Sequence, residues 1–182
     1  SLLHPRAEKY PLLIVSNHPK WRVHSQHDDM TWLREISTCK VEGPDGYYYE
    51  PLWLHPVDAE KRGIRHGDVA TVFNERGAVL GGAYITERVM PGVVYMDHGA
   101  RYDPIVPGEL DRGGAINTLT PHNTTSNNAT GMVCSGFLVE VEKTDLEDLR
   151  TKYPDAFNRP YHKAAGLVAE RLIFKVNHGL WP

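Results

Sequence analysis

Residues 58–96 constrain the fold most, because glycine and proline divide this stretch into short apolar segments. Each division falls at a residue type that adopts the backbone angles of a tight turn. The pattern predicts, in chain order, a short helix over residues 56–63, a strand over 68–73, a turn at 74–77, a return strand over 78–87 and another strand over 93–96. Short strands joined by tight turns in this way favour a β-barrel.

The flanking sequence extends this pattern. An apolar run at residues 10–16 is typical of a strand buried on both faces. Residues 47–55 and 136–142 are also predicted to be strands, and residues 31–37 predict one or two helical turns. Residues 98–130 lose all periodicity and are predicted to form a long loop.

A charged segment follows the last predicted strand. Residues 144–153 predict a helix, with Thr144 as its N-cap and Glu147 at the capping-box position. Residues 164–174 predict a second helix. The end of the chain is therefore expected to differ in character from the barrel.

The composition limits the kind of protein. With 182 residues and 41% hydrophobic content, the chain can bury one substantial core. We expect a barrel domain over residues 1–143 and a C-terminal extension over residues 144–182 that packs on the barrel or on a parent enzyme. The formal net charge of −3 argues against nucleic-acid binding. Because the sequence begins at Ser1 rather than at Met, we expect an excised fragment or a processed chain.

A polar segment directly after the first predicted strand is the main candidate for binding. Such a loop is a usual place for ligand contacts because the scaffold fixes it. Its Arg offers a fork for phosphate, and its other side chains offer directed donors to a ring edge. These residues are Asn17, His18, Arg22, His24, Ser25 and Gln26. They suit a polyanionic, heteroaromatic ligand, with a solvated loop as the alternative.

Other chemistries have weaker support. His18, His24 and His27 are not at a recognised metal-ligand spacing, and no Cys lies among them, so no metal site is predicted. The sequence contains no Gly-x-Ser-x-Gly elbow, Walker loop or Rossmann fingerprint, so no catalytic residue is predicted. Residues 117–128 carry donors and acceptors that either bind a neutral ring or stabilise turns.

A series of short motifs occurs in a specific order. The first is Asn-His-Pro-Lys-Trp-Arg-Val-His-Ser-Gln at residues 17–26. The others lie at residues 56–59, 63–64, 67–69, 74–77, 91–94, 99–104 and 117–120. Together they resemble the C-terminal molybdopterin dinucleotide-binding domain of the dimethyl sulfoxide reductase family, over roughly residues 10–143. Within that family the resemblance is greatest to the large subunits of pyrogallol-phloroglucinol transhydroxylase and related oxidoreductases.

The resemblance implies a fold and a ligand. The fold is mainly β, a six-stranded double-psi β-barrel with short helices and, in this chain, a helical C-terminal extension. The ligand is molybdopterin guanine dinucleotide, which carries molybdenum or tungsten. The implied cofactor-binding residues are Asn17, His18, Arg22, His24, Ser25, Gln26, Asn117 and Thr120. The family commonly has an aromatic residue where Arg101 stands.

The resemblance also implies what this chain lacks. The family's metal ligand and any iron–sulfur cysteines lie in other domains, so this chain is expected to be one part of a molybdopterin oxidoreductase or transhydroxylase. The expected partners are the remaining domains of that enzyme, with an iron–sulfur subunit as a further candidate, and neither nucleic acid nor a membrane. We expect a soluble protein from the cytoplasm or periplasm of a bacterium. The alternative is a stand-alone barrel that binds a small ligand or a protein.

Overall fold

Short strands dominate a computed structural model, which describes residues 4–163 and 167–168. In chain order the strands are β1 (Leu12–Val15), β2 (Val41–Glu42), β3 (Tyr48–Tyr49), β4 (Pro51–Leu54), β5 (Val69–Asn74), β6 (Gly77–Ile85), β7 (Val93–Met96), β8 (Pro104–Val106), β9 (Leu110–Asp111), β10 (Thr124–Ser126), β11 (Ala129–Met132), β12 (Phe137–Lys143), β13 (Tyr161–His162) and β14 (Leu167–Val168). The helices are α1 (Thr31–Arg34), α2 (Pro56–Glu60), α3 (Leu146–Lys152) and α4 (Pro154–Phe157), with 3₁₀ turns at Pro5–Glu8 and Ile116–Thr118.

Six of these strands close into a barrel. Their order is β4–β7–β1–β12–β5–β6, and a pairing between β4 and β6 completes the ring. The β1–β7 and β4–β6 pairs are parallel, and the other four pairs are antiparallel. Because parallel neighbours require crossover connections, the chain crosses over the barrel to form each of these two pairs. This arrangement confirms the predicted six-stranded double-psi barrel.

Alternating apolar side chains fill the barrel. In β1, Leu12 and Ile14 are buried, whereas Leu13 and Val15 are only half-buried. The first strand is therefore buried mainly on one face, and the expectation of burial on both faces was wrong. The central cluster takes apolar residues from all six barrel strands and from the 3₁₀ turn at Ile116–Thr118. Within the described residues, no helix is long and apolar enough to span a bilayer.

The structure corrects several element boundaries. The predicted strand over residues 47–55 divides into β3 and β4 at Glu50, whose side chain is fully buried. The predicted long loop over residues 98–130 contains β8, β9, β10, the beginning of β11 and a 3₁₀ turn. Of the predicted helix over residues 164–174, only Leu167–Val168 are described, and they form strand β14. Helix α3 is capped by Asp145 rather than by Thr144.

The first part of the C-terminal extension packs against the barrel. The Arg112 guanidinium lies between the ring of Tyr47, at 4.1 Å, and that of Phe157, at 4.4 Å. Tyr161 stacks on Tyr47 with 4.6 Å between ring centroids, and its hydroxyl accepts a hydrogen bond from Arg34. These contacts support packing of the extension on the barrel, while the domain division at residue 143 stays a prediction.

A cluster of buried charges joins the loop after β1 to the barrel. Arg22 forms a bidentate ion pair with Glu50, with N–O distances of 2.6 and 3.1 Å. Lys40 Nζ lies 2.7 Å from Glu50 and 3.0 Å from Asp28. Arg22 also contacts Asp28 at 3.1 Å, and Arg34 Nη1 donates to the backbone carbonyl of Asp28 at 2.7 Å. Every one of these side chains is at most 6% exposed.

The pKa of Asp28 shows how strongly these charges are coupled. Burial alone would raise the pKa of its carboxyl, but Lys40 and Arg22 together lower it below the usual value of 3.8. The folded protein therefore binds fewer protons here than the unfolded chain. The stabilisation from Asp28 is present above pH 3.8 and is lost as the pH falls through the lowered value.

Asp28→Asn should reduce the free energy of unfolding by about 3 kcal/mol at neutral pH, because it leaves Lys40 and Arg22 with one carboxylate fewer in the interior. Urea unfolding of the 182-residue chain measures this. Since Asn resembles a protonated Asp, the difference from wild type should stay constant above about pH 5 and shrink only at lower pH.

The control is Asp29→Asn, which removes an exposed ion pair with Arg101. This variant should lose less than about 1 kcal/mol. Equal losses in the two variants, or a difference for Asp28→Asn that already disappears near neutral pH, would show that the buried charges do not stabilise the loop as described.

Candidate functional site

The loop after β1 has a backbone held in a sparsely populated conformation. A tight turn brings the amide of Gln26 to the carbonyl of Val23, at 2.9 Å. His24 within this turn has a φ of +52°, which is unusual for a residue with a side chain. Its imidazole is exposed. An exposed side chain on a fixed, strained backbone is a common feature of binding sites.

Gly99 holds this turn against the loop after β7. A side-chain Cβ at Gly99 would lie 2.3 Å from the His24 carbonyl oxygen, and Gly99 has a φ of +86°. Only glycine satisfies both the close approach and the backbone angle. Two hydrogen bonds also link the loops. The backbone N–H of His98 donates to the Asn17 carbonyl at 2.9 Å, and the Arg22 guanidinium donates to the backbone carbonyl of His98 at 3.1 Å.

Three imidazoles meet where these two loops join. The ring centroids of His18, His24 and His98 lie 4.9 to 5.1 Å apart. His24 Nδ1 and His98 Nε2 are 2.9 Å apart and share a hydrogen bond. Burial lowers the pKa of His98, and the neighbouring His18 and His24 lower it further. The neutral form of His98 is therefore favoured, which leaves the cluster able to donate and to accept.

A cavity of about 480 Å³ adjoins the cluster on the side of His18. Its lining combines aromatic rings with cationic and amide groups and one carboxylate: Asn17, His18, Lys20, Trp21, Trp53, Arg88, Tyr95 and Asp97. Burial, together with the charge of Glu50, raises the pKa of Asp97, although Tyr95 donates a hydrogen bond to this carboxylate. Aromatic faces beside cations suit a ligand that has both rings and phosphates.

A second cavity, of about 580 Å³, lies beside Ser25. Arg101, Tyr102, Asn117 and Thr118 also line it. Arg101 is held in place by an ion pair with Asp29 at 3.3 Å and by donation to the Ser25 carbonyl at 3.4 Å. The loop after β1 thus lines two cavities, the first through Asn17 and His18 and the second through Ser25. Both contain groups suited to a polar heterocyclic ligand.

The structure divides the predicted site residues into two groups. On the surface, Asn17 and His18 line the first cavity and Ser25 and Asn117 line the second. His24 and Gln26 are exposed in the same turn as Ser25. The other two predicted residues, Arg22 and Thr120, are engaged with other protein groups.

Arg22 and Thr120 belong to the scaffold. The Arg22 side chain is 1% exposed, and its two terminal nitrogens bind Glu50, Asp28 and the His98 carbonyl. It therefore cannot offer its fork to a phosphate, as the sequence suggested. The Thr120 hydroxyl donates to the Ile116 carbonyl at 3.1 Å and so holds the turn that carries Asn117.

His98 and Arg101 were missed from the sequence. The parallel pairing of β1 with β7 brings the loop of His98 and Arg101 next to the loop after β1, because the ends of parallel neighbours meet at one edge of a sheet. His18 and His98 follow these two strands closely, so the fold brings them together. A linear sequence does not show which strands pair, and His98 lies 80 positions from His18.

Comparison with known proteins identifies the family. Residues 12–135 match the family model "Molydopterin dinucleotide binding domain". The chain is 41% identical over 145 residues to the pyrogallol hydroxytransferase large subunit of Pelobacter acidigallici, which covers 78% of this chain and 16% of that protein. It is 44% identical over 142 residues to trimethylamine-N-oxide reductase 1 of Escherichia coli K12, with coverage of 76% and 16%.

A solved structure agrees on the fold. Acetylene hydratase from Pelobacter acetylenicus superposes with a TM-score of 0.59 at 16% identity, over 77% of this chain and 19% of that one. The chain spans about a sixth of the length of the curated relatives that it matches. With a family match over more than half of its length, the chain belongs to the molybdopterin dinucleotide-binding domain of the dimethyl sulfoxide reductase family.

Proposed function

We propose that this chain is the C-terminal cofactor-binding part of a larger molybdenum oxidoreductase or transhydroxylase, and that the turn at residues 23–26 lies against its cofactor. Membership of the family, together with the reductase relatives, identifies that cofactor as molybdopterin guanine dinucleotide with molybdenum. When bound, the group supplies the redox chemistry of the metal. The residues of this chain bind and orient it.

The observation that carries this proposal is the exposed loop after β1, which lines two polar cavities. Each cavity has a volume in the range of ligand sites, about 480 and 580 Å³. The side chains that line them donate and accept hydrogen bonds and include Lys20, Arg88 and Arg101 as cations. This donor set fits a ligand with pterin edges and phosphates.

The residues divide into contacts and supports. Asn17, His18, His24, Ser25, Gln26 and Asn117 are the proposed contacts. Arg22 and Thr120 act as positioning residues, because each is engaged with other protein groups. Gly99 is a third positioning residue, since it fixes the backbone of His24.

We infer that the other functions of the parent enzyme lie in its other domains. We infer that those domains cover the cofactor and supply the metal ligand, and that an iron–sulfur subunit is a further partner. The named relatives come from bacteria, and we infer a bacterial parent that works in the cytoplasm or the periplasm.

Gly99→Ala should lower cofactor content in the full-length enzyme, because the added methyl group displaces the His24 carbonyl. The matched control is Gly92→Ala. Gly92 has a similar φ of +80°, but a Cβ there meets no atom within 4 Å. Gly92→Ala should lose about 1 kcal/mol of unfolding free energy from backbone strain. Gly99→Ala should lose more, because its methyl group also meets the His24 carbonyl. Only Gly99→Ala should also lose bound pterin, measured by fluorescence of the oxidised pterin released from purified enzyme. Equal pterin content in both variants would contradict this role of Gly99.

His24→Gly and Gln26→Ala test the contacts themselves. Glycine at position 24 tolerates the positive φ, so His24→Gly removes the imidazole without straining the turn. Each substitution removes hydrogen bonds to a charged ligand and should weaken cofactor retention about tenfold. The unfolding free energy of the 182-residue chain should change by less than about 0.5 kcal/mol for Gln26→Ala. Unchanged pterin content in both enzyme variants would remove the contact assignment.

A further inference from the structure

The three-histidine cluster has a geometry that suits a metal ion. Each of His18, His24 and His98 offers one ring nitrogen, and these three nitrogens all lie within 4.8 Å of one another. Two nitrogens bound to the same zinc ion at 2.0–2.1 Å lie about 3.4 Å apart in a tetrahedral site. His24 Nδ1 and His98 Nε2 are 2.9 Å apart, which is close to this spacing. A rotation of the rings can bring three nitrogens to one ion.

The neighbouring structure allows this rearrangement. His18 and His24 are exposed, and His98 is half-buried. Gly99 fixes the backbone of His24, and hydrogen bonds with Arg22 and Asn17 fix the backbone of His98. Because the rings of His18 and His24 are exposed, they can turn towards an ion while the loop stays in place.

The chemistry of the ligands selects a class of metal. Neutral imidazole is the preferred ligand of zinc, copper and nickel ions, whereas magnesium and calcium prefer oxygen. Histidine is largely neutral at pH 7. No carboxylate belongs to this cluster among the described residues.

We propose that His18, His24 and His98 form a site for one divalent transition-metal ion, such as zinc or cobalt, in the cofactor-free chain. The sequence did not predict this site, because the spacing of His18 and His24 is not typical and His98 lies far away in the chain. Two of the three ligands are also proposed cofactor contacts. The restriction to the cofactor-free state therefore rests on the proposed function, whereas the metal site itself does not.

The test uses the metal-free 182-residue chain, titrated with zinc chloride in a calorimeter and with cobalt chloride in a spectrophotometer. We expect one ion per chain at micromolar metal and a visible cobalt spectrum typical of nitrogen ligands. Proton NMR of the cobalt form should show one shifted, exchangeable N–H signal for each coordinated imidazole, and hence three. His18→Ala, His24→Gly and His98→Gln should each weaken zinc binding by about tenfold or more.

His122→Ala is the control, since His122 is exposed and lies outside the cluster. Its zinc affinity should equal that of wild type. The proposal is overturned if the chain binds no zinc at micromolar concentration, or if the three cluster variants bind as tightly as His122→Ala. Circular dichroism of each variant checks that it is folded, and His18→Ala, at an exposed position, still tests the metal site if His98→Gln is unstable. Pterin content of the full enzyme does not enter this test, so its failure leaves the proposed function intact.

Discussion

The bidentate ion pair between Arg22 and Glu50 is the interaction on which the binding surface depends. Glu50 is fully buried between β3 and β4, and Arg22 is in the loop after β1. A buried carboxylate needs a charged partner that also satisfies its oxygens, and Arg22 does this with both terminal nitrogens. The same guanidinium donates to the His98 carbonyl. One side chain thus ties the barrel wall to both loops of the candidate site.

Such a buried charge cluster is a weak source of net stability, because desolvation opposes the attraction between the charges. The main effect of the cluster here is to fix the positions of the loops. An apolar side chain in place of Arg22 could fill the same space, but it would offer no donor to the His98 carbonyl and no partner to Asp28. The cluster includes Arg34, which also contacts Tyr161 of the C-terminal extension. The extension, the barrel and the loop are therefore connected through charged groups of fixed geometry.

The sequence predicted most of the barrel strands because the signals for them are local, whereas the six-stranded double-psi topology was implied by the family resemblance. Glycine and proline mark the turns, and the β5–β6 hairpin and β7 lie where the pattern of residues 58–96 predicted them. Most of the proposed contact loop was also visible, since polar residues follow a buried strand. The pairing between strands that are distant in the chain could not be predicted from the sequence. For that reason His98 and Arg101 were missed. Arg22 was expected to contact the ligand, because its partner Glu50 lies 28 positions away and the ion pair could not be recognised from the sequence.

The exposure of the proposed contacts supports a site shared between domains. Ligand sites commonly cover 70–90% of a ligand's surface, but His18, His24, Ser25, Gln26 and Asn117 are all exposed in the chain alone. A ligand resting on this turn would remain open to water on its far side. Burial of so polar a loop edge would also be costly without partners for its donors. Another protein surface and the ligand itself can supply those partners together.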